Sequence, residues 1–363
     1  MRKLLFVLSS VGLMLSGCSR GGTEKVLSVR HNEVDSLDLS QALIVKQVVM
    51  LDNDMPLGDI TRVERNHAGI YIWSRNRINI YSNEGELLGQ VGRSGRGPGE
   101  YVSISGFSLS DKEVLIIDSY RRLLVYDLDG EFLRGADIPF YAAAGKIFGN
   151  LIYLDSGYQN GKEKKFHVYS LETLEEFGSF QEINDAERTY RHFMHAEHYY
   201  VSGDDKLFYH ESLNNRVYQL FPDHADAVYS LDFWGRTPPD SFFEHRYENV
   251  AAVYRALSEG GYISGAPSFA AGNGKFLFSY NSSPKTKTVA YEVGFSLLDS
   301  SDNSSCQSEC VYFKNVTRSM PGVDMTMSFN STKDISFAVP PDALLGASLP
   351  EDGNPVLIFA EFR

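Results

Sequence analysis

Apolar residues recur at every second position over short stretches, and helical spacing is confined to one segment. Ile70-Tyr-Ile-Trp-Ser74 and Ile78-Asn-Ile-Tyr-Ser82 alternate faces as half-buried strands do. Asn83-Glu84-Gly85 interrupts them with turn residues, and Glu86-Leu-Leu-Gly-Gln90 resumes the pattern. A shift of 45 residues lands on the same arrangement. Leu115-Ile-Ile-Asp-Ser119, Leu123-Leu-Val-Tyr-Asp127, the turn at Leu128-Asp129-Gly130 and Glu131-Phe-Leu-Arg-Gly135 follow in order, with Tyr81 on Tyr126, Gly85 on Gly130 and Arg77 on Arg122. Looser copies are Ile152–Ser156 with His167–Leu171, Leu207–Glu211 with Arg216–Leu220, and Lys275–Ser279 with Thr288–Glu292. The tail supplies Val311–Phe313 and Val356–Ala360.

A small antiparallel sheet cannot bury both of its faces alone. Sheets packed face to face around an axis can, and a repeat of this length is the mark of a β-propeller. Six such units predict an all-β, six-bladed β-propeller over residues 41–363. Leu43–Leu51 is a spare strand, expected to complete the last blade and remove an open edge. One segment departs from the pattern. Pro238-Pro239 stops a strand, Ser241 and Glu244 have capping-box spacing, and Phe243, Tyr247, Val250, Tyr254 and Leu257 recur helically up to Gly260-Gly261. This predicts one inserted amphipathic helix at 241–258.

The N-terminus reads as an address. Met1-Arg2-Lys3 is basic, Leu4 to Leu15 is apolar, and Leu15-Ser16-Gly17-Cys18 resembles the bacterial lipobox. The resemblance implies a signal peptide at 1–17, acylation of Cys18 and a polar tether over 18–40. The expected location is the cell envelope, as an outer-membrane lipoprotein facing the periplasm. Loss of residues 1–17 would leave 32 basic and 47 acidic side chains, a net charge of −15. That charge argues against nucleic acid as a partner and against electrostatic adhesion to anionic lipid, so the membrane would be reached through the acyl anchor. Apolar residues at 43% and charged residues at 22% fit a folded chain rather than a disordered one.

Gly92-Arg-Ser-Gly-Arg-Gly-Pro-Gly-Glu-Tyr101 resembles the signature of a family of six-bladed β-propeller lipoproteins of Bacteroides-group bacteria. Asn83–Leu88, Asp118, Tyr126–Gly130 and Val228–Pro238 continue the resemblance over roughly residues 40–300. It implies a fold and a compartment. It implies no activity, since members of that family are mostly uncharacterised.

The glycine-rich stretch is the first candidate site. Gly95, Gly97 and Gly99 permit left-handed backbone, and Pro98 stiffens the turn. Arg93 and Arg96, with Glu100 and Tyr101 beside them, could hold a carboxylate or phosphate. The other reading is a crossover whose charges pair locally. A P-loop is excluded because the terminal Lys-Ser/Thr is missing. Trp73, Arg75, Tyr120, Arg121 and Tyr158 follow matching strands of three repeats. They are expected at one rim, where they would suit a sugar or peptide or else cover blade edges.

His192, His195 and His198 are three residues apart, a spacing that alternates faces on a strand, and read as ordinary histidines rather than metal ligands. Cys306 and Cys310 would form a small-loop disulfide or stay as two thiols. Asp118, Asp127, Asp129 and Asp155 read as turn acids. No metal site or cofactor is predicted, and Ca²⁺ enters only if the protein is an enzyme. The function expected is a lipid-anchored module that binds a glycan, peptide or envelope protein. The alternatives are a metal-dependent propeller hydrolase or lyase, with its site at a mouth of the central channel, and a structural envelope protein that docks a partner through its helix.

Overall fold

Short alternating runs punctuated by turn residues fold into antiparallel meanders. The computed structural model describes residues 24–156, 164–190, 199–210, 214–263, 268–282, 292–347, 349 and 353–363. Sheet I comprises Ile60–Arg65, Ile70–Ser74, Arg77–Tyr81 and Leu87–Gln90. Sheet II comprises Ile104–Leu109, Glu113–Asp118, Arg122–Asp127 and Phe132–Asp137. Sheet III comprises Ala142–Phe148, Leu151–Ser156, Lys164–Ser170 and Glu176–Glu182. Sheet IV comprises Phe269–Gly272, Lys275–Ser282, Glu292–Asp299 and Ser304–Ser308. The core lies between sheets. Tyr71, Ile80, Phe107 and Ile116 fill the gap between I and II, and Ile117, Leu123, Ile147 and Leu154 that between II and III.

The expected six separate blades are corrected to five blade sheets among the described residues, beside which Leu37–Asp38 with Cys310–Tyr312 and Met320–Pro321, and Arg93–Ser94 with Glu100–Tyr101, form two small further sheets. Sheet V has nine strands. The expected fourth repeat, found as Leu207–His210 and Arg216–Leu220 with Tyr199–Val201 and Ala225–Phe233 beside them, does not stand apart from the tail strand Val356–Phe362, which lies with Thr326–Ser331, Asp334–Val339 and Leu43–Met50. Instead Val201 pairs with Ser331 in parallel, and the two groups share one hydrogen-bonded sheet. The molecule is thus an all-β propeller of five blades. Leu43–Met50 lies antiparallel to Val356–Phe362, so the spare strand closes the ring as its pattern predicted.

The turn that repeats in sequence also repeats in structure, and it joins blade to blade. Ser82 Oγ accepts from the amides of Glu84 and Glu86, both at 3.2 Å. Asp127 Oδ1 does the same for Asp129 at 3.1 Å and Glu131 at 2.8 Å. Gly85 and Gly130 are left-handed, with φ of 102° and 89°. A Cβ at Gly85 would lie 2.2 Å from Met50 O, and one at Gly130 would lie 2.5 Å from Gln90 O. The outer strand of the preceding blade therefore requires glycine at both turns, and the Asp52 and Gly92 amides bond Gly85 O and Gly130 O at 2.9 Å.

The tether expected over 18–40 is corrected where the structure describes it. Lys25–Val29 adds in parallel to the outer strand Ala225–Phe233, with Leu27 and Val29 buried. The segment then crosses to sheet IV, where Val34 N donates to Gln307 O at 2.9 Å. Leu37–Asp38 continues beside Cys310–Tyr312. Residues 25–38 thus strap the outside of the ring.

The single helix expected at 241–258 is corrected to two, Asp240–Glu244 and Val250–Gly260, with a third at Glu187–Tyr190. His245 turns extended, and Asn249 starts a new helix by accepting from Ala252 N at 3.1 Å. The Ser241–Glu244 box does not form; Pro239 is the N-cap and makes no side-chain cap bond. Tyr190, Phe242, Tyr247, Val253 and Leu257 give the three helices a core of their own. Among the described residues, no helix is long and apolar enough to cross a membrane.

Candidate functional site

In a four-stranded meander, the turn between the second and third strands lies at the same end as the links between blades. That end carries Arg75, Tyr120, Arg121 and the exit of the glycine-rich link, and a chain of hydrogen bonds ties the two turns to that exit. Asn76 Nδ2 donates to Val102 O at 3.0 Å, and Ile104 N donates to Asn76 Oδ1 at 2.8 Å. Val102 N and Ser103 N both donate to Asp118 Oδ1, at 2.9 and 2.8 Å. Arg121 N returns to Asp118 O at 3.1 Å. Asp118 is therefore a buried brace rather than a surface turn acid, and Arg122 grips its other oxygen at 3.0 and 2.6 Å.

Ser119 and Tyr120 have φ of 51° and 64°, and Arg75 has φ of 54°. Successive left-handed residues in a hairpin turn ordinarily call for Asn-Gly, because a Cβ is strained there. Tyr120 occupies such a position, and the residue is 36% exposed. The ring lies 5.8 Å from that of Tyr141, tilted by 34°. The Arg121 guanidinium sits over Tyr141 at 4.4 Å, within cation–π range. Tyr141 was not anticipated; a lone aromatic in a link has no periodic signal. Trp73 is half-buried, edge-on to Phe107 at 6.5 Å, and its Nε1 donates to Arg75 O at 2.9 Å.

The glycine-rich link closes on itself. Glu100 Oε1 accepts from Arg93 Nε and Oε2 from Gly97 N, both at 2.7 Å. The Gly97 amide first, and Arg93 next, hold the Glu100 carboxyl below the usual carboxylate range. Tyr101 is 1% exposed and belongs to the core, so it does not stand at the rim. Arg96 is exposed. Tyr158, His192, His195, His198 and Cys18 lie outside the described residues. Cys306 and Cys310 are unbridged, on strands of different sheets, and Asn32 Nδ2 lies 3.3 Å from Cys306 Sγ.

The opposite end holds a charged chamber that strand patterning did not reveal. A cavity of about 730 Å³ is lined by Glu64, Arg65, Lys146, Asn330 and Asp334, among others. Glu64, at the end of the innermost strand of sheet I, joins three blades. Its Oε2 accepts from Leu109 N of sheet II and Lys146 Nζ of sheet III, both at 2.9 Å, and Arg62 lies 2.8 Å from Oε1. Asn330 Nδ2 donates to Val63 O at 2.7 Å and to Asp334 Oδ2 at 3.1 Å. Arg65 faces the other Asp334 oxygen at 3.5 Å. Burial pushes the Asp334 carboxyl up from 3.8 to about 6, against the pull of Arg65. Under the helices a cavity of about 610 Å³ contains the buried pair Lys165–Glu187, 2.9 Å apart. That pair ties the first helix to sheet III. Among the described residues, no three His, Cys, Asp or Glu side chains gather closely enough to hold a metal ion.

The family model for a domain of unknown function, DUF4934, matches residues 52–361. The chain belongs to the DUF4934 family. Its fold is similar to that of an inferred exported protein of Bacteroides fragilis NCTC 9343. That crystal structure aligns at a TM-score of 0.69 and 14% identity, over 93% of this chain and all of the other. It is also similar to a DUF4221 family member from Bacteroides vulgatus ATCC 8482, at a TM-score of 0.52 and 11% identity, over 88% of this chain and 98% of the other. No curated protein matches the chain. At such identities the likeness of this DUF4934 chain to both structures extends to fold alone.

Proposed function

We propose that this DUF4934 protein is a lipid-anchored envelope module, held through Cys18, that binds its ligand on the loop face at Tyr120, Arg121 and Tyr141. The description of the similar Bacteroides fragilis structure as that of an inferred exported protein supports the compartment. The observation that carries the site is Tyr120. An exposed aromatic ring stands where left-handed backbone makes glycine cheaper by roughly 1 kcal/mol. Such strain persists where the side chain has a use.

The test is Tyr120→Gly and Tyr141→Ala, screened against arrays of purified oligosaccharides and peptides. Ligands held by the wild type should be lost by both variants. Equal retention by the two variants would refute the site. Cys18→Ser should abolish incorporation of labelled palmitate; incorporation that persists would refute the anchor.

A second reading, catalysis in the chamber, rests on Asp334, an acid poised near neutral pH in an open cavity. It predicts a pH–rate profile with an inflection near 6 that Asp334→Asn removes.

A further inference from the structure

The chain is acidic, with 34 basic and 47 acidic side chains. Near the loop face of sheets I and II, two arginines have partners: Arg93 pairs with Glu100 at 2.7 Å and Arg122 with Asp118 at 2.6 Å. Arg75, Arg96 and Arg121 differ. All three are exposed, and none enters an ion pair among the described residues. Arg75 and Arg121 sit on turns hydrogen-bonded to Val102 and Ser103, where the link that carries Arg96 ends. In a protein with a surplus of carboxylates, three exposed guanidinium groups without a carboxylate partner, on two neighbouring turns and the link that ends beside them, point to an anionic ligand.

The neighbouring groups narrow its class. Tyr120, Tyr141 and the Arg121 guanidinium offer flat faces, which suit the C–H face of a sugar ring, while arginine takes carboxylate or sulfate in bidentate fashion. An extended peptide would need free backbone groups for strand addition. Here those groups are engaged. Tyr120 N donates to Ser105 Oγ at 2.9 Å, Tyr120 O accepts from Ala142 N at 2.8 Å, and Arg121 O accepts from Ile138 N at 2.8 Å.

We infer that the loop face of sheets I and II binds an anionic oligosaccharide, with sugar rings on Tyr120 and Tyr141 and acid groups on Arg75, Arg96 and Arg121. This rests on the loop-face reading above and names its ligand class. The test is calorimetric titration of the full mature chain with hexameric galacturonate, its methyl ester, mannuronate oligomers, sulfated heparin fragments and an Asp hexapeptide.

At least one acidic oligosaccharide should bind, and more weakly as salt rises. For galacturonate, the ester should bind at least tenfold more weakly. Each of Arg75→Ala, Arg96→Ala and Arg121→Ala should weaken an acidic sugar roughly tenfold at unchanged melting temperature. Arg121→Lys, which keeps the charge and loses the planar fork, should fall between. The inference is overturned if no acidic sugar binds, if the ester or the Asp peptide binds as tightly as the acid, or if the arginine variants bind like the wild type. Those outcomes leave the loop-face reading standing as long as Tyr120→Gly still abolishes the binding of some array ligand. If Tyr120→Gly and Tyr141→Ala abolish none, the loop-face reading itself falls.

Discussion

The two ends of the propeller treat charge in opposite ways. At the chamber end, Glu64, Lys146 and Arg62 are almost wholly buried, and the two cations each lie within 3 Å of a Glu64 oxygen, at 2.9 and 2.8 Å. At the loop end, Arg75, Arg96 and Arg121 stand in solvent without a carboxylate. Burying an ion costs several kcal/mol unless a partner offsets it, so the chamber charges are bound to the fold that pairs them. Exposed arginines cost the fold little, and neutralising them falls to whatever binds there. Charge at the chamber end serves cohesion; at the loop end Asp118 with Arg122 and Glu100 with Arg93 do the same, and Arg75, Arg96 and Arg121 are left for recognition.

The sharpest way to break this contrast is Glu64→Gln. The amide would leave Lys146 and Arg62 buried without the carboxylate that links sheets I, II and III. Removing one partner of such a set costs about 3–5 kcal/mol. Urea unfolding should give a lower midpoint at an unchanged slope. A loss below about 1 kcal/mol would mean that the chamber charges are no more structural than surface pairs.

Asp334 sharpens the comparison through pH. Its folded-state pKa, raised from 3.8 to about 6, means that the folded protein holds this proton more tightly than the unfolded chain. The stability this gives is full below about pH 3.8 and is lost as pH rises through 6. Arg65 at 3.5 Å and Asn330 at 3.1 Å offset only part of the burial cost of the anion. Asp334→Asn should therefore stabilise the protein at pH 8, by at most about 3 kcal/mol, and the gain should vanish by about pH 4. Thermal unfolding at the two pH values measures it. A variant less stable than wild type at pH 8 would show that the Arg65 pair outweighs burial.

The two ends also differed in how far the sequence revealed them. The second and third strands of sheets I and II were legible because short apolar runs rich in Ile, Leu, Val and Tyr recur there 45 residues apart, and Gly85 and Gly130 marked turns that only glycine can make. The loop face followed, since residues just past matching strands share an end. The innermost strands, which line the chamber, were not legible. Thr326–Ser331, and Asp334–Val339 beside it, bury Ser328, Asn330 and Ser336 where strand patterning expects apolar residues, and neither is among the strands that the repeat picks out. The pairing of Glu64 with Lys146 joins residues 82 positions apart and leaves no local trace. The fusion of two expected blades through Val201 and Ser331 is hidden for the same reason, since one parallel contact carries no periodicity. Ser241 and Glu244 had the right spacing for a cap, but Pro239 precedes the helix and Asn249 restarts it.

At the loop end, Tyr120→Gly should raise stability by roughly 1 kcal/mol, because glycine relieves a left-handed backbone at φ 64°. The loss of Tyr120 packing on Tyr141 sets a limit on that gain. A higher melting temperature with lost binding would be a direct trade of stability for function. A lower one would make Tyr120 a packing residue and align the loop face with the chamber.

The smallest expected effect is the most discriminating. Arg75→Ala and Arg96→Ala should each change unfolding free energy by no more than about 0.5 kcal/mol, and Arg121→Ala by no more than about 1 kcal/mol, since each side chain is exposed and forms no ion pair. Arg121 is the strictest case because its stacking on Tyr141 at 4.4 Å is worth only about 0.5–1 kcal/mol at an exposed site. The triple variant should remain additive within about 0.5 kcal/mol, because the three side chains share no partner. A triple variant that lost several kcal/mol would mean these arginines hold the turns and link together. Loop-end charge would then be structural after all, and the two ends would differ only in exposure.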